Sequence, residues 1–177
     1  VVSPDDDPEL ASRLEELISG SVRFSQPDDI NITVSDKGVS WGMTKLPAAD
    51  IPLKGRHNLH NVALALAAVD SYFDLDAAQK TAALSAVSTF KPLAHRLETI
   101  PTRDGRTWVD DSLATAPEAV VAALGTFADS PVTLIAGGAD RGVPFDPLID
   151  YLRGRKESKR VEIVAVGPAG ARLVEEL

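Results

Sequence analysis

The spacing of apolar and polar residues predicts a hairpin and two helices in the first half of the chain. Residues 30–43, INITVSDKGVSWGM, alternate apolar and polar positions on both sides of SDKG, which predicts a β-hairpin. Residues 58–73 and 76–90 carry apolar residues at helical spacing, so each predicts a helix. A short helix is expected after Asp7, and a further extended piece at residues 51–53.

The pattern changes near residues 90–94, where Pro92 interrupts it, and we place a domain boundary there. The predicted domains are residues 1–92 and 93–177. The second contains two strands joined at RDG, and then strands that alternate with helices. These are predicted as helix 117–127, strand 132–138, helix 146–153, strand 161–167 and a helix from Ala169. Continuous apolar strands between helices indicate an α/β fold with a parallel sheet covered on both faces.

Composition narrows the function classes. The 177 residues are 44% hydrophobic and 25% charged, which is typical of a folded globular chain. There are 26 acidic and 18 basic residues, and neither half carries the basic excess that nucleic-acid binding needs. The longest apolar run, residues 62–69, is too short to span a bilayer, so no membrane insertion is expected. The absence of cysteine favours a cytoplasmic location.

Two groups of polar residues suit a nucleotide. Asn58 and Asn61 are three positions apart at the start of a predicted helix, and an Asn amide matches the hydrogen-bonding edge of adenine. The alternative is that Asn58 is a helix N-cap. Arg96, after Pro92, could bind a phosphate in a bidentate manner, or it could be an ordinary solvated arginine.

Two further groups follow predicted strands. Asp110 and Asp111 end an apolar strand, where a carboxylate could accept hydrogen bonds from a ribose, although Asp111 or Thr115 could instead cap the next helix. Residues 134–142, LIAGGADRG, place Arg141 just beyond a strand, where it suits an anionic group. The alternative is a plain loop, and the spacing is not that of a dinucleotide-binding GxGxxG element.

In this order the elements GRHNxxNxAxAxA, HRLE, DDSxATxPxA and LIAGGxDRG closely resemble the Mur ligase family of peptidoglycan synthesis. The resemblance covers nearly the whole chain, and DSxATxP is similar to the element of the glutamate-adding members. It implies that residues 1–92 are the back end of the central ATPase domain. Residues 93–177 would then be a Rossmann-like, mostly parallel C-terminal domain that is incomplete at its end.

The resemblance also implies roles for individual residues. Four of them would bind ATP, namely Asn58, Asn61, Arg96 and Asp111. Thr115 and Arg141 would face the incoming glutamate. In the implied reaction, UDP-N-acetylmuramoyl-L-alanine is activated by ATP as an acyl phosphate, which the glutamate amine then attacks.

Two departures from the family pattern qualify these expectations. Leu113 stands where the glutamate-adding members usually have lysine, so an enzyme that adds L-glutamate rather than D-glutamate is an alternative. The sequence also lacks a GxxGK[ST] phosphate loop, and the family's Mg²⁺ ligands are expected outside it. We therefore expect a fragment without catalytic or metal residues that is inactive alone. A non-catalytic nucleotide-binding α/β module is the remaining alternative.

Overall fold

A computed structural model of the protein describes residues 31–101 and 104–177. The chain divides into two compact units, of which one ends at Pro92 and the other begins at Leu93. The helix predicted after Asp7 lies outside the described residues.

The described part of the first unit begins with a three-stranded antiparallel sheet. Its strands, in spatial as in chain order, are β1 (Ile32–Ser35), β2 (Gly38–Trp41) and β3 (Thr44–Pro47). The predicted hairpin is confirmed, since Ile32 pairs with Trp41 and Ser35 with Gly38. Residues 51–53, where a further extended piece was predicted, form no strand, although the backbone of Ile51 is extended. The third strand lies earlier. Gly42, with a φ of 59°, permits a tight turn directly after Trp41.

The described part of this unit also contains two α-helices, α1 (Arg56–Phe73) and α2 (Ala77–Val87), and both were predicted. The buried positions of α1 recur every three or four residues, as at Leu59, Val62 and Leu66, so one face of the helix enters the core. They join the inward side chains of the sheet, including Ile32, Val39 and Trp41. None of the helices in the described ranges has the length and apolar content needed to cross a membrane.

The start of α2 has a reciprocal cap that we expect to be worth about 1 kcal/mol of stability. Gln79 N–H donates to Asp76 Oδ1 at 2.8 Å, and Asp76 N–H donates to Gln79 Oε1 at 2.9 Å. Asp76→Ala removes the acceptor for the first bond, so the free energy of unfolding measured in urea should fall by about that amount. Asp76→Asn keeps an N-cap acceptor and is the matched control. Equal losses in both variants would contradict a capping role.

Among its described residues, the second unit contains two separate pairs of strands and three α-helices. An antiparallel pair consists of β4 (Glu98–Ile100) and β5 (Trp108–Asp110), and a parallel pair of β6 (Val132–Gly137) and β7 (Val161–Val166). The helices are α3 (Pro117–Thr126), α4 (Asp146–Arg153) and α5 (Gly167–Glu176). The predicted order of strands and helices is confirmed, and the chain is α/β with a parallel strand pair.

The parallel pair is covered on one face. Its inward side chains pack against buried residues from all three helices, Leu124, Leu148, Ile149 and Leu173. On the other face Ile135, Val164 and Val166 are exposed, with 48–60% of their surface accessible. The prediction of a sheet covered on both faces is therefore wrong within the described residues. The physical reason is that α3, α4 and α5 all contribute to the same core, on the same side of the two strands.

Candidate functional site

The asparagines at the start of α1 are hydrogen-bonded to each other. Asn61 Nδ2 donates to Asn58 Oδ1 at 3.2 Å, and Asn58 Nδ2 donates to the carbonyl of Lys54 at 2.6 Å. Asn58 is buried and Asn61 is exposed. The residue that caps α1 is Gly55, with a φ of 90° and no side-chain bond, so the alternative of Asn58 as N-cap is wrong. Asn58 thus orients Asn61, whose amide lies at the surface.

The HRLE segment has an unusual backbone. His95 and Leu97 have φ values of 63° and 46°, in the left-handed region that few residues other than glycine adopt. Carboxylates bind both of their amides. His95 N–H donates to Glu98 Oε2 at 2.8 Å, and Leu97 N–H donates to Asp111 Oδ1 at 3.0 Å. Arg96 lies between these two residues with its side chain exposed, and its guanidinium bonds to no described residue.

A side-chain pair also ties this segment to the end of β5. His95 Nδ1 lies 2.7 Å from Asp110 Oδ2, because β4 and β5 pair with Glu98 opposite Asp110. The hydrogen bond and charge of Asp110 raise the pKa of the His95 imidazole above 6.5. In turn the hydrogen bond from His95, together with that from Ser112 N–H, lowers the pKa of Asp110 to about 2. At neutral pH Asp110 is therefore ionised and favours protonated His95.

Removing Asp110 should lower the pKa of His95, as measured by NMR titration of its ring protons. We expect Asp110→Asn to bring it down towards 6.5, because the largest cause of the rise is lost. Glu98→Gln is the control and should change it less, since Glu98 makes the smallest raising contribution. An unchanged His95 pKa in Asp110→Asn would contradict the pair.

The signs of the two shifts define the pH window in which the pair stabilises the fold. The pKa of His95 is raised, so its contribution is complete below 6.5 and is lost as the pH rises through the folded value. The pKa of Asp110 is lowered, so its contribution is complete above 3.8 and is lost as the pH falls towards about 2. The pair therefore stabilises most between these limits, in mildly acidic solution.

Asp111 does not cap the following helix. The N-cap of α3 is Ala116, which makes no side-chain cap bond, and Pro117 supplies the first helical position. The cap alternatives for Asp111 and Thr115 are therefore both wrong. One carboxylate oxygen of Asp111 accepts the Leu97 N–H, which fixes its orientation, while Thr115 is exposed.

A cavity of about 270 Å³ lies at the carboxyl end of β6. Its lining includes Thr115 and Arg141, together with Gly137 at the strand end and Arg172 from α5. Both residues predicted to face glutamate therefore line one cavity. Leu113 is not among the lining residues. It is half-exposed, and its N–H donates to the carbonyl of His95 at 3.2 Å.

The turn into this cavity depends on glycine. Gly137 and Gly138 have φ values of 135° and 114°, and a Cβ on Gly137 would lie 1.9 Å from the carbonyl oxygen of Val166. Arg141 follows with an exposed side chain that makes no ion pair to any residue in the described ranges. An exposed guanidinium beside a hydroxyl and a cavity can bind a carboxylate.

Sequence patterns did not predict two parts of this region, the His95–Asp110 pair and Arg172. The first could have been found from the pairing of β4 with β5. Arg172 bonds to Asp140, 32 positions earlier, and no local pattern signals that contact.

One group of metal-ligand types occurs within the described ranges, formed by His95, Glu98 and Asp110. Their ligand atoms lie within 4.8 Å of one another. The three already bond within the segment, and two of them are exposed, so we assign no metal there.

Comparison with known proteins identifies relatives. No protein-family profile matches the chain. A Salinispora tropica protein named UDP-N-acetylmuramoyl-L-alanine–L-glutamate ligase is 38% identical over 97% of this chain and 38% of its own length. A Xanthomonas campestris protein of that name is 36% identical over 94% of the chain and 34% of its own. A Roseiflexus protein named UDP-N-acetylmuramoylalanine–D-glutamate ligase is 47% identical over 60% of this chain and 22% of its own length. The chain spans less than two fifths of these relatives.

Proposed function

The chain belongs to the Mur ligase family, and we propose from this that the whole protein uses ATP to join glutamate to UDP-N-acetylmuramoyl-L-alanine. The alanine carboxylate takes the terminal phosphoryl group of ATP, which gives an acyl phosphate and ADP. The glutamate amine attacks the acyl carbon, loses a proton, and displaces inorganic phosphate as the amide forms. Residues 1–92 are proposed as part of the central ATPase domain and 93–177 as part of the C-terminal domain.

The observation that carries this proposal is the cavity that Thr115 and Arg141 share. Glutamate brings two carboxylates, and a guanidinium can bind one of them through two parallel hydrogen bonds. The Thr115 hydroxyl can donate a further bond to the same ligand. The cavity lies beyond the carboxyl end of a parallel strand, where α/β proteins commonly bind ligands.

The residues proposed for ATP fit parts of a nucleotide. Asn61 presents an exposed amide that Asn58 orients, which suits the adenine edge. Leu97 N–H donates to one carboxylate oxygen of Asp111. The other carboxylate oxygen of Asp111 can accept hydrogen bonds from ribose hydroxyls. The exposed guanidinium of Arg96 suits a phosphate. Mg²⁺, which would neutralise the phosphates, is proposed to be held by parts of the protein outside this sequence. A cytoplasmic location also stays a prediction.

A second candidate concerns the stereochemistry of the amino acid. The relatives from Salinispora tropica and Xanthomonas campestris, which match more than nine tenths of the chain, are named L-glutamate ligases. D-glutamate ligases from Roseiflexus and Geobacillus kaustophilus match 60% and 84% of it. Leu113 also replaces the lysine expected in the glutamate-adding members. Both observations favour L-glutamate as the substrate.

The test uses the full-length protein with UDP-N-acetylmuramoyl-L-alanine, Mg²⁺–ATP, and either D- or L-glutamate. Phosphate release and the mass of the product are followed. Phosphate release with a product one glutamate residue heavier supports the ligase, and a preference for the L-isomer supports the second candidate. No amide product with either isomer would rule out the proposed function.

A further inference from the structure

The loop that carries Arg141 is held by a side chain from α5. Arg172 Nε donates to Asp140 Oδ2 at 2.8 Å, and Arg172 Nη2 donates to Asp140 Oδ1 at 3.1 Å. These two bonds form the parallel pair that only an arginine fork makes with a carboxylate. Both side chains are less than one third exposed, so water screens the pair only partly.

The same guanidinium contacts the loop at two further points. Arg172 Nη2 donates to the carbonyl of Val143 at 2.7 Å, and the guanidinium carbon lies 4.2 Å from the centre of the Phe145 ring. Its remaining terminal nitrogen donates to Glu176 Oε1 at 2.7 Å, one helical turn further along α5. Arg172 thus joins three positions of the loop to α5.

Arg141 lies between Asp140 and Gly142, and hydrogen bonds hold both of these neighbours. On one side Asp140 is paired with Arg172, and on the other the N–H of Gly142 donates to Asp140 Oδ1 at 2.8 Å. The backbone is therefore fixed immediately before and after Arg141. The Arg141 side chain makes no bond to the described residues and stays available for a ligand.

Charge adds a second reason for this arrangement. Asp140 lines the same cavity as Thr115 and Arg141, and an unpaired carboxylate there would repel an anionic substrate. The hydrogen bonds from Arg172 come first among the causes that lower the pKa of Asp140, so Asp140 is ionised and needs the cation beside it. Arg172 supplies that cation without using Arg141.

We propose that Arg172 is a positioning residue of the amino-acid site, which holds the loop so that Arg141 can bind a glutamate carboxylate and which neutralises Asp140. This inference rests on the proposed function. It assigns Arg172 no contact with the reacting atoms, because four of its hydrogen bonds already go to Asp140, Val143 and Glu176.

The experiment compares Arg172→Lys with the wild type in the full-length protein. Lysine keeps the charge but cannot make the fork, so we expect the KM for glutamate to rise about tenfold. The KM values for ATP and for the UDP-linked substrate should stay within about twofold of the wild-type values, and Tm should change little. Asp140→Asn should also raise the glutamate KM. The double variant should raise it by less than the product of the two single fold-changes, because both substitutions break the same pair.

Arg160→Lys is the matched control. Arg160 is an exposed arginine whose nitrogens lie 3.7 Å and 3.8 Å from Glu157 and Glu162, and its replacement should leave all three KM values unchanged. An unmoved glutamate KM in Arg172→Lys, or an equal rise in every KM, would overturn the positioning role alone. A wild-type protein that forms no amide with either glutamate isomer would overturn the proposed function and, with it, this inference.

Discussion

Arg141→Ala should reduce kcat/KM for glutamate roughly a hundredfold in the full-length protein, because two charge-assisted hydrogen bonds to a carboxylate are lost. Arg141 is exposed and makes no bond to the described residues, so its replacement removes ligand contacts without breaking the fold. The KM for ATP should hardly change. Steady-state kinetics with varied D- and L-glutamate provide the measurement.

Two further variants separate geometry from charge at this position. Arg141→Lys keeps the positive charge and loses the fork, so its effect should be smaller, about tenfold. Arg160→Ala, which removes a surface arginine outside the cavity lining, should leave the kinetics unchanged. If Arg141→Ala keeps kcat and the glutamate KM near wild type, glutamate binds elsewhere in the protein.

The largest expected effect on stability comes from Gly137→Ala. The φ of 135° is strained for alanine, and the new Cβ would lie 1.9 Å from the Val166 carbonyl oxygen and 3.0 Å from the Gly170 amide nitrogen. All of these are backbone atoms of β7 and α5, so no side chain can move aside to relieve the clash. The free energy of unfolding should fall by roughly 3–5 kcal/mol.

Urea unfolding followed by far-UV circular dichroism measures this loss. Gly125→Ala is the control, because Gly125 lies in α3 and its added Cβ would meet no atom within 4 Å. That change should be neutral or stabilise by up to about 1 kcal/mol, since alanine favours helix over glycine. A Gly137→Ala protein as stable as the wild type would contradict the expected clash with the Val166 carbonyl.

Local patterns in the sequence predicted most of the helices and strands, because their causes are local. The buried face of α1 follows from residues three and four apart, and the hairpin from alternation around a turn. The strand β3 was misplaced, because a four-residue strand, TKLP, with one buried position has almost no periodic signal. The exposed face of the parallel pair was also missed, since apolar runs do not show which side the helices cover.

The candidate site was predictable where it depends on strand ends. The rule that ligands bind beyond the carboxyl ends of parallel strands brought Arg141 into consideration, and the family resemblance added Thr115. Both residues line the cavity. The role of Arg172 could not be predicted, because its contact with Asp140 depends on how α5 packs beside β6. The left-handed conformations at His95 and Leu97 could not be predicted either, since only a small fraction of non-glycine residues adopt them.

The pairing of β6 with β7 bears on the order in which the chain folds. Val132 pairs with Val161, 29 positions later, whereas Ile32 pairs with Trp41, only nine positions later. Closing the longer loop costs about 1 kcal/mol more in chain entropy, and α4 must form within it. We therefore expect the hairpin of the first unit to gain amide protection before the parallel pair does. The cavity lined by Thr115 and Arg141, which needs the end of β6 and the start of α5 together, would be among the last parts to form.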